Sequence, residues 1–489
     1  MPTTIKYIGT QDRWPELAVT GKQSMWRPGQ QEERSDLELS LLLATGLFNT
    51  VPRNLPTVYP SRAVAEITYP ASANLGREIV VGSGSLVETR KSNGKHYAVI
   101  NAGPIAAARA VATNGSFPNY YNTTPKNLQC RRMHTVRSRV KQIKGRLVNK
   151  YVDPTTFAEA SPGAASTYSI GLVLNGVNIG SLRLAGNTSM AVADGAWTDT
   201  DYLDCDLYPG DILEERFYMT NAVGCCYEGD AASSRPAFQD AAAGEMCQIA
   251  AGLTDQTTGT GALTGAANYN FAMGGCFALI GVSTDPAIMI IGDSEEVGIG
   301  EAYTGSAVRG AFARSIAPYF AFSKVARGGD GALKYVASHA IRGAMGDIFT
   351  HIVCNYGIND INNFAQTPAQ VLANLQTIRG YFPGVPFFLR TLTPASTSTD
   401  LWKTTDGQTV GINNTTINAF NNLIRPVPAG FAGCFEYSDP LSTARDSGIW
   451  IANGGTPQLY TQDGLHLSAV ASELVKSVKA FKPELIVVS

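Results

Sequence analysis

Charge is scarce in this chain. Only 16% of its 489 residues are Asp, Glu, Lys or Arg, and the net charge is −2. So even a balance argues against wholesale nucleic-acid binding. No run of about 18 apolar residues occurs, so nothing reads as a membrane span. The opening MPTTIKYIGTQDRWPEL lacks the apolar centre of a secretory signal, and export by that route is not expected. No segment repeats with a period of about 20 to 50 residues, which argues against a solenoid. The eight cysteines, at 130, 205, 225, 226, 247, 276, 354 and 434, form no C-x-x-C and stand at no ligand-like spacing to a histidine. A zinc site is therefore not expected, and most of these cysteines read as buried reduced thiols. The vicinal pair Cys225-Cys226 has no explanation at the level of sequence.

What is present is a globular composition, 44% apolar, with 49 glycines. So much glycine favours turns and short strands over long helices. The length exceeds one ordinary core, and three zones can be read. Residues 1–50 carry two tryptophans, a Pro-Gly turn and an apolar stretch (Leu37, Leu39, Leu41, Leu42, Leu43, Leu47) that predicts a short helix too small to fold alone. Residues 51–280 alternate as strands do, in YSIGLVLNGVNIGSLRLAG and DILEERFYMTN, with turn signals at Asn114-Gly115, Asn175-Gly176 and Pro209-Gly210. That rhythm predicts a β-sandwich-like domain. From residue 281 to 489, apolar runs such as AIMII, FTHIVCNYG and VPFFLRTLT alternate with helical patterns. Strand, helix, strand in that order predicts a parallel sheet covered on both faces. Ligands of such sheets bind at the carboxyl ends of the strands.

Three groups fall at such ends. Gly292-Asp293-Ser294 follows one strand, Gly357-Ile358-Asn359-Asp360 follows another, and Asp463-Gly464-Leu465-His466 precedes the last helix. A serine hydroxyl needs a base to take its proton, and His466 can serve. The base needs an acceptor on its other ring nitrogen, and Asp463 is close enough in sequence to converge with it from one tight turn. An oxyanion needs donors; the Asn359 amide, the Ser294 N–H and a glycine N–H can supply them. Each group also has a plain reading: a strand meeting a turn, a loop, or Asp463 as a helix cap. Their combination, each at an element's end, favours chemistry.

These groups resemble the first, third and fifth blocks of the SGNH (GDSL-type) hydrolases. The second block normally supplies a glycine; VARGGDGA is its counterpart, with Gly329 the better match and Gly328 the alternative. The resemblance covers roughly residues 285–489. It implies a flavodoxin-like three-layer α/β/α domain with Ser294, His466 and Asp463 as catalytic triad. Ser294, Gly329 and Asn359 would form the oxyanion hole, and the enzyme would hydrolyse esters with no metal and no cofactor. TLTPASTSTDLW and LYTQDGLHLSAVAS are similar to SGNH domains carried by bacteriophage virion proteins, and residues 1–50 resemble short virion-attachment segments. The expected partners are thus other virion proteins, through that segment, and a bacterial cell-surface polysaccharide. A homo-oligomer is expected, a trimer being common among phage fibres and spikes; no nucleic acid and no membrane take part. The expected location is the virion, acting at the host surface.

The leading functional expectation is a carbohydrate O-acetyl esterase. The alternative is a non-catalytic virion structural or receptor-binding protein built on the same scaffold. A lipase or thioesterase ranks lower, because no long apolar lid segment is evident. Residues 131–150 hold eight Lys or Arg and no acid. They read as a solvated basic strand pair, or else as a track for a polyanionic saccharide. Tyr120 and Tyr121 could stack on sugars. His96, His134, His339 and His351 read as structural.

Overall fold

The computed structural model describes residues 106–122, 127–229, 239, 241–268, 272–301 and 308–488 in full, and before them the backbone of eight short strands. The chain divides into two compact units: residues 1–106 with 208–210 and 489, and residues 107–207 with 211–488. In the first, Thr3–Tyr7 runs antiparallel to Gln31–Arg34 and Phe48–Thr50. Glu78–Ser83, Leu86–Ser92 and Tyr97–Ala102 form a three-stranded antiparallel sheet. The helix expected around Leu37 to Leu47 lies outside the described residues, as does the His96 side chain.

The second unit begins with two antiparallel sheets. One runs in the order Val177–Ser181, Ser166–Leu174, Ile212–Asn221, Asn127–Thr135, Met246–Ile249. The other runs Trp197–Asp199, Val140–Val148, Ala278–Ser283, Ala107–Ala110. Strand alternation turns Leu128, Ile170, Leu172 and Phe217 of the first sheet, and Ile143, Leu147 and Leu279 of the second, into one buried cluster. Two sheets sharing one apolar interior make a sandwich-like body. The Asn175-Gly176 signal becomes a hairpin turn, with φ 52° and 77° as such a two-residue loop requires. Cys225 and Cys226 lie buried in this interior on the Cys225–Gly229 strand, and burial pushes the Cys225 thiol up to about 12. They pack as small apolar groups.

The parallel sheet follows, in the order Gly115–Ser116, Ala321–Ala326, Ala287–Gly292, His351–Cys354, Phe387–Arg390, Gly433–Phe435. Every neighbouring pair is parallel. Alternate residues of its strands enter different clusters. Met289, Ile291, Ile352 and Leu389 join side chains of the Pro368–Gly380 and Asn414–Ile424 helices. Ile288, Ile290, Val353 and Phe388 join those of the Ala311–Ile316 and Ala469–Ser477 helices. Both faces are therefore dry, which is why AIMII is apolar without alternation. Each such side chain contributes about 1.5–3 kcal/mol on burial. The Pro368–Gly380 helix starts where its sequence says it should, at a Thr367/Gln370 capping box with proline in the first turn. No helix among the described residues is long and apolar enough to cross a membrane.

The boundaries read at 50/51 and 280/281 do not separate the compact units. A change of sequence rhythm marks a change of local structure, whereas packing decides what holds together. The Gly115–Ser116 strand, far upstream, lies beside Ala321–Ala326 in the parallel sheet. Buried ion pairs tie the two architectures further. Glu228 meets Arg132 at 2.7 Å and Lys324 at 2.8 Å. Burial opposes its charge, yet Lys324 and Arg132 hold its carboxyl at about 2. Arg146 joins Asp199 at 2.7 Å and also Asp347. Acids thus answer the basic stretch: Arg131 pairs with Glu214, Lys141 with Asp206 and Lys144 with Asp199. It is a cross-strand charge lattice rather than an open cationic track. Tyr120 and Tyr121 are likewise occupied, packing on Tyr227 and Tyr151.

Candidate active site

Ser294 stands where the Ala287–Gly292 strand ends and a single helical turn, Ser294–Val297, begins. Asp293 caps that turn, its Oδ1 accepting the Glu295 N–H at 3.0 Å. The same oxygen accepts the Asn355 amide at 3.0 Å, while Asn355 Oδ1 accepts the Asp293 N–H at 3.1 Å. This reciprocal pair fixes the turn to the neighbouring strand. Asp293 is fully buried, and burial raises its carboxyl to about 6 against the pull of Arg390 and Asn355. Glu295 is bound by Arg390, at close range, and by the Thr393 hydroxyl at 2.8 Å.

His466 reaches the serine from the other side. Its Nε2 lies 2.8 Å from Ser294 Oγ, and its Nδ1 lies 2.6 Å from Asp463 Oδ2. Asp463 Oδ1 accepts the backbone N–H of Leu465 at 3.0 Å and of His466 at 2.8 Å. One carboxylate therefore both shapes the turn and orients the imidazole. Burial works against its charge, but the His466 ring and the two N–H groups hold it at about 2. The plain reading of Asp463 as a helix cap does not hold, because Ser468 caps the Ala469–Ser477 helix. Gly464, at φ 76°, completes the turn; a Cβ there would lie 1.9 Å from the Ser396 carbonyl oxygen. Trp450 donates its indole N–H to the Gly464 carbonyl at 3.0 Å.

Asn359 lies buried in the first turn of Ile358–Asn362. Its amide donates to the Asp330 carbonyl at 2.9 Å, and its oxygen accepts from Asn363 at 2.8 Å. One amide hydrogen remains for a ligand. Asp360 points elsewhere, accepting the N–H groups of Ala332 and Leu333 at 2.9 Å each and so anchoring the Ala332–Ala337 helix. Between Ser294 and Asn359 runs the turn from Arg327 to Asp330, closed by a 3.1 Å bond. A Cβ on Gly328 would lie 3.8 Å from Ser294 Cβ; on Gly329, at φ 82°, it would lie 3.1 Å from the Phe157 ring. Among the described residues, the N–H groups of Ser294, Gly328 and Gly329 meet no acceptor.

The structure thus brings together Ser294, His466 and Asp463 in bonded sequence, with Asn359 and both candidate glycines around the turn beside them. His134 bonds Glu215 at 3.0 Å, His339 stacks on Tyr381, and burial holds His351 down at about 4. Sequence reasoning missed Asn355, whose Asn-Tyr-Gly context after a strand reads only as a turn. It also missed Gly300, where a Cβ would come 2.8 Å from His466 Cβ, and Phe157, which arrives from the antiparallel region.

No protein-family model matches the chain, and no curated protein matches it. Solved structures similar to it include a lipase/acylhydrolase from Enterococcus faecalis, at 20% identity and TM-score 0.28, covering 40% of this chain and 94% of that one. Another is a family two carbohydrate esterase from Clostridium thermocellum in complex with cellohexaose, at 11% identity and TM-score 0.29, covering 78% and 100%. A third is the salicylyl-acyltransferase SsfX3 from a tetracycline biosynthetic pathway, at 14% identity and TM-score 0.27, covering 72% and 79%. At such scores these likenesses assign neither family nor activity; the bonded Ser–His–Asp geometry defines the class of chemistry available.

Proposed function

We propose that this chain is a serine ester hydrolase of SGNH type, that its substrate is an O-acetylated bacterial surface polysaccharide, and that it works as part of a phage virion. The observation that carries the hydrolase reading is the continuous relay from Ser294 Oγ through His466 to Asp463, at 2.8 and 2.6 Å. As Ser294 Oγ bonds to the ester carbonyl carbon, His466 Nε2 takes its proton and the carbonyl electron pair moves onto oxygen. Asp463 stabilises the imidazolium without taking a proton from it. The oxyanion is received by the N–H groups of Ser294 and Gly329 and the Asn359 amide. Collapse breaks the bond to the alcohol oxygen, which leaves with the His466 proton. Water then repeats the cycle and frees the acid. The polysaccharide and virion parts rest on the phage-like stretches TLTPASTSTDLW and LYTQDGLHLSAVAS and on residues 1–50.

The test is acetate release from acetylated bacterial polysaccharides, with p-nitrophenyl acetate as a rapid proxy. Ser294→Ala should keep the circular dichroism spectrum and lose activity by roughly a thousandfold or more. A variant that still releases acetate at the wild-type rate removes Ser294 from the chemistry.

A further inference from the structure

Phe157 belongs to the antiparallel region, yet its ring lies against the turn that borders Ser294. A Cβ on Gly329 would stand 3.1 and 3.2 Å from two of its ring carbons. Two anchors hold its segment there. Asp153 Oδ1 accepts the N–H groups of Thr155 at 3.0 Å and Thr156 at 2.7 Å, and the Thr156 hydroxyl at 2.9 Å. Two residues beyond Phe157, Glu159 accepts the N–H groups of Ile341 at 3.0 Å and Arg342 at 2.6 Å, and its own N–H donates to Ser338 Oγ at 2.9 Å. Phe157 itself sits at φ 61°, a left-handed conformation that bulky residues rarely adopt and that the surroundings must sustain. Phe364 meets its ring edge-to-face, with centroids 6.0 Å apart at 70°. Phe364 follows the helix that carries Asn359, and its N–H donates to the Asn359 carbonyl at 3.1 Å.

Two half-buried aromatic rings therefore stand beside the oxyanion turn, one from each architecture of the unit; Lys334 Nζ lies 5.1 Å from the Phe364 ring centroid, and polar Asn363 precedes Phe364 in the chain. A pyranose ring has an apolar C–H face that can lie on an aromatic ring and a hydroxyl rim that neighbouring polar groups can bond. Resting on the ester-hydrolase reading above, we infer that Phe157 and Phe364 form the wall that receives the sugar ring on the alcohol side of the scissile ester. The antiparallel region then supplies substrate specificity directly, by one side chain at the site.

The experiment uses the full chain and two acetyl esters, xylopyranose tetraacetate and vinyl acetate, the second having no ring on its alcohol side. Phe157→Ala should raise KM for the sugar ester about tenfold with kcat nearly unchanged, and alter kcat/KM for vinyl acetate by less than about twofold. Phe157→Trp should restore the sugar-ester KM, and Phe364→Ala should repeat the split. Equal losses on both esters, or no change on either, overturn the wall while leaving the hydrolase reading intact. Failure of the wild-type chain to cleave either ester overturns the hydrolase reading and the wall with it.

Discussion

Ser294 and Glu296 are two residues apart and meet opposite conditions. Ser294 faces a base, whereas Glu296 is fully buried, with Oε1 accepting the Phe312 N–H at 3.1 Å and Oε2 unpaired among the described residues. Burial pushes the Glu296 carboxyl up to about 8, against the pull of the Phe312 N–H and Lys324. The folded chain thus keeps a proton that an unfolded one releases near about 4.3. Stability from this group is full below that value and is lost as pH rises towards about 8. Glu296→Gln should raise the melting temperature at pH 7 by a few degrees, and the gain should shrink to nothing by about pH 4. An equal gain at both pH values would mean that packing, not ionisation, is responsible. At the site itself, Asn359→Ala should lower kcat roughly a hundredfold to a thousandfold with little change in KM, because the amide serves the charged intermediate more than the neutral ester. Steady-state kinetics on p-nitrophenyl acetate decides; a change confined to KM would give Asn359 a binding role only.

At the scale of elements, the site depends on short turns at strand ends more than on the long helices. Gly300 adopts φ 91°, and a Cβ there would meet His466 Cβ at 2.8 Å and the Leu467 carbonyl oxygen at 3.0 Å. Backbone cannot yield as a side chain does, so Gly300→Ala should push His466 from Ser294. Misplacement of about 1 Å can cost about a hundredfold. The expected result is a kcat loss of tenfold or more with an unchanged circular dichroism spectrum. Wild-type turnover in Gly300→Ala would show that the His466 turn has slack which the 2.8 Å relay does not suggest.

For the whole molecule, the interlock of sandwich and parallel sheet sets what can be cut apart. A fragment of residues 281–489 would lose the Gly115–Ser116 edge strand and leave Lys324 without Glu228. Stripping a buried charge of its partner costs about 3–5 kcal/mol, comparable to much of a domain's stability. Residues 107–489 should therefore express as a cooperatively melting, active protein, and residues 281–489 should aggregate or melt far lower. Calorimetry of both fragments checks this; equal melting temperatures would make the shared ion pairs dispensable.

The sequence by itself determined the candidate site residues and the local elements. Gly-Asp-Ser after AIMII, Asn359 after FTHIVCNYG and the Asp463–His466 turn were legible because strand ends, turn residues and side-chain chemistry are local properties. So were the alternating strands around Asn175-Gly176. Only the tertiary structure decided that Asp463 orients His466 instead of capping a helix, that acids on adjoining strands answer the basic stretch, and that Phe157 stands beside Gly329. Those outcomes depend on contacts between residues far apart in the chain. Asp347 lies 201 residues from Arg146, and no local pattern encodes such a meeting. The compact-unit boundary belongs to the same class: a two-residue strand at 115–116 enters a sheet assembled some 200 residues later, and packing alone puts it there.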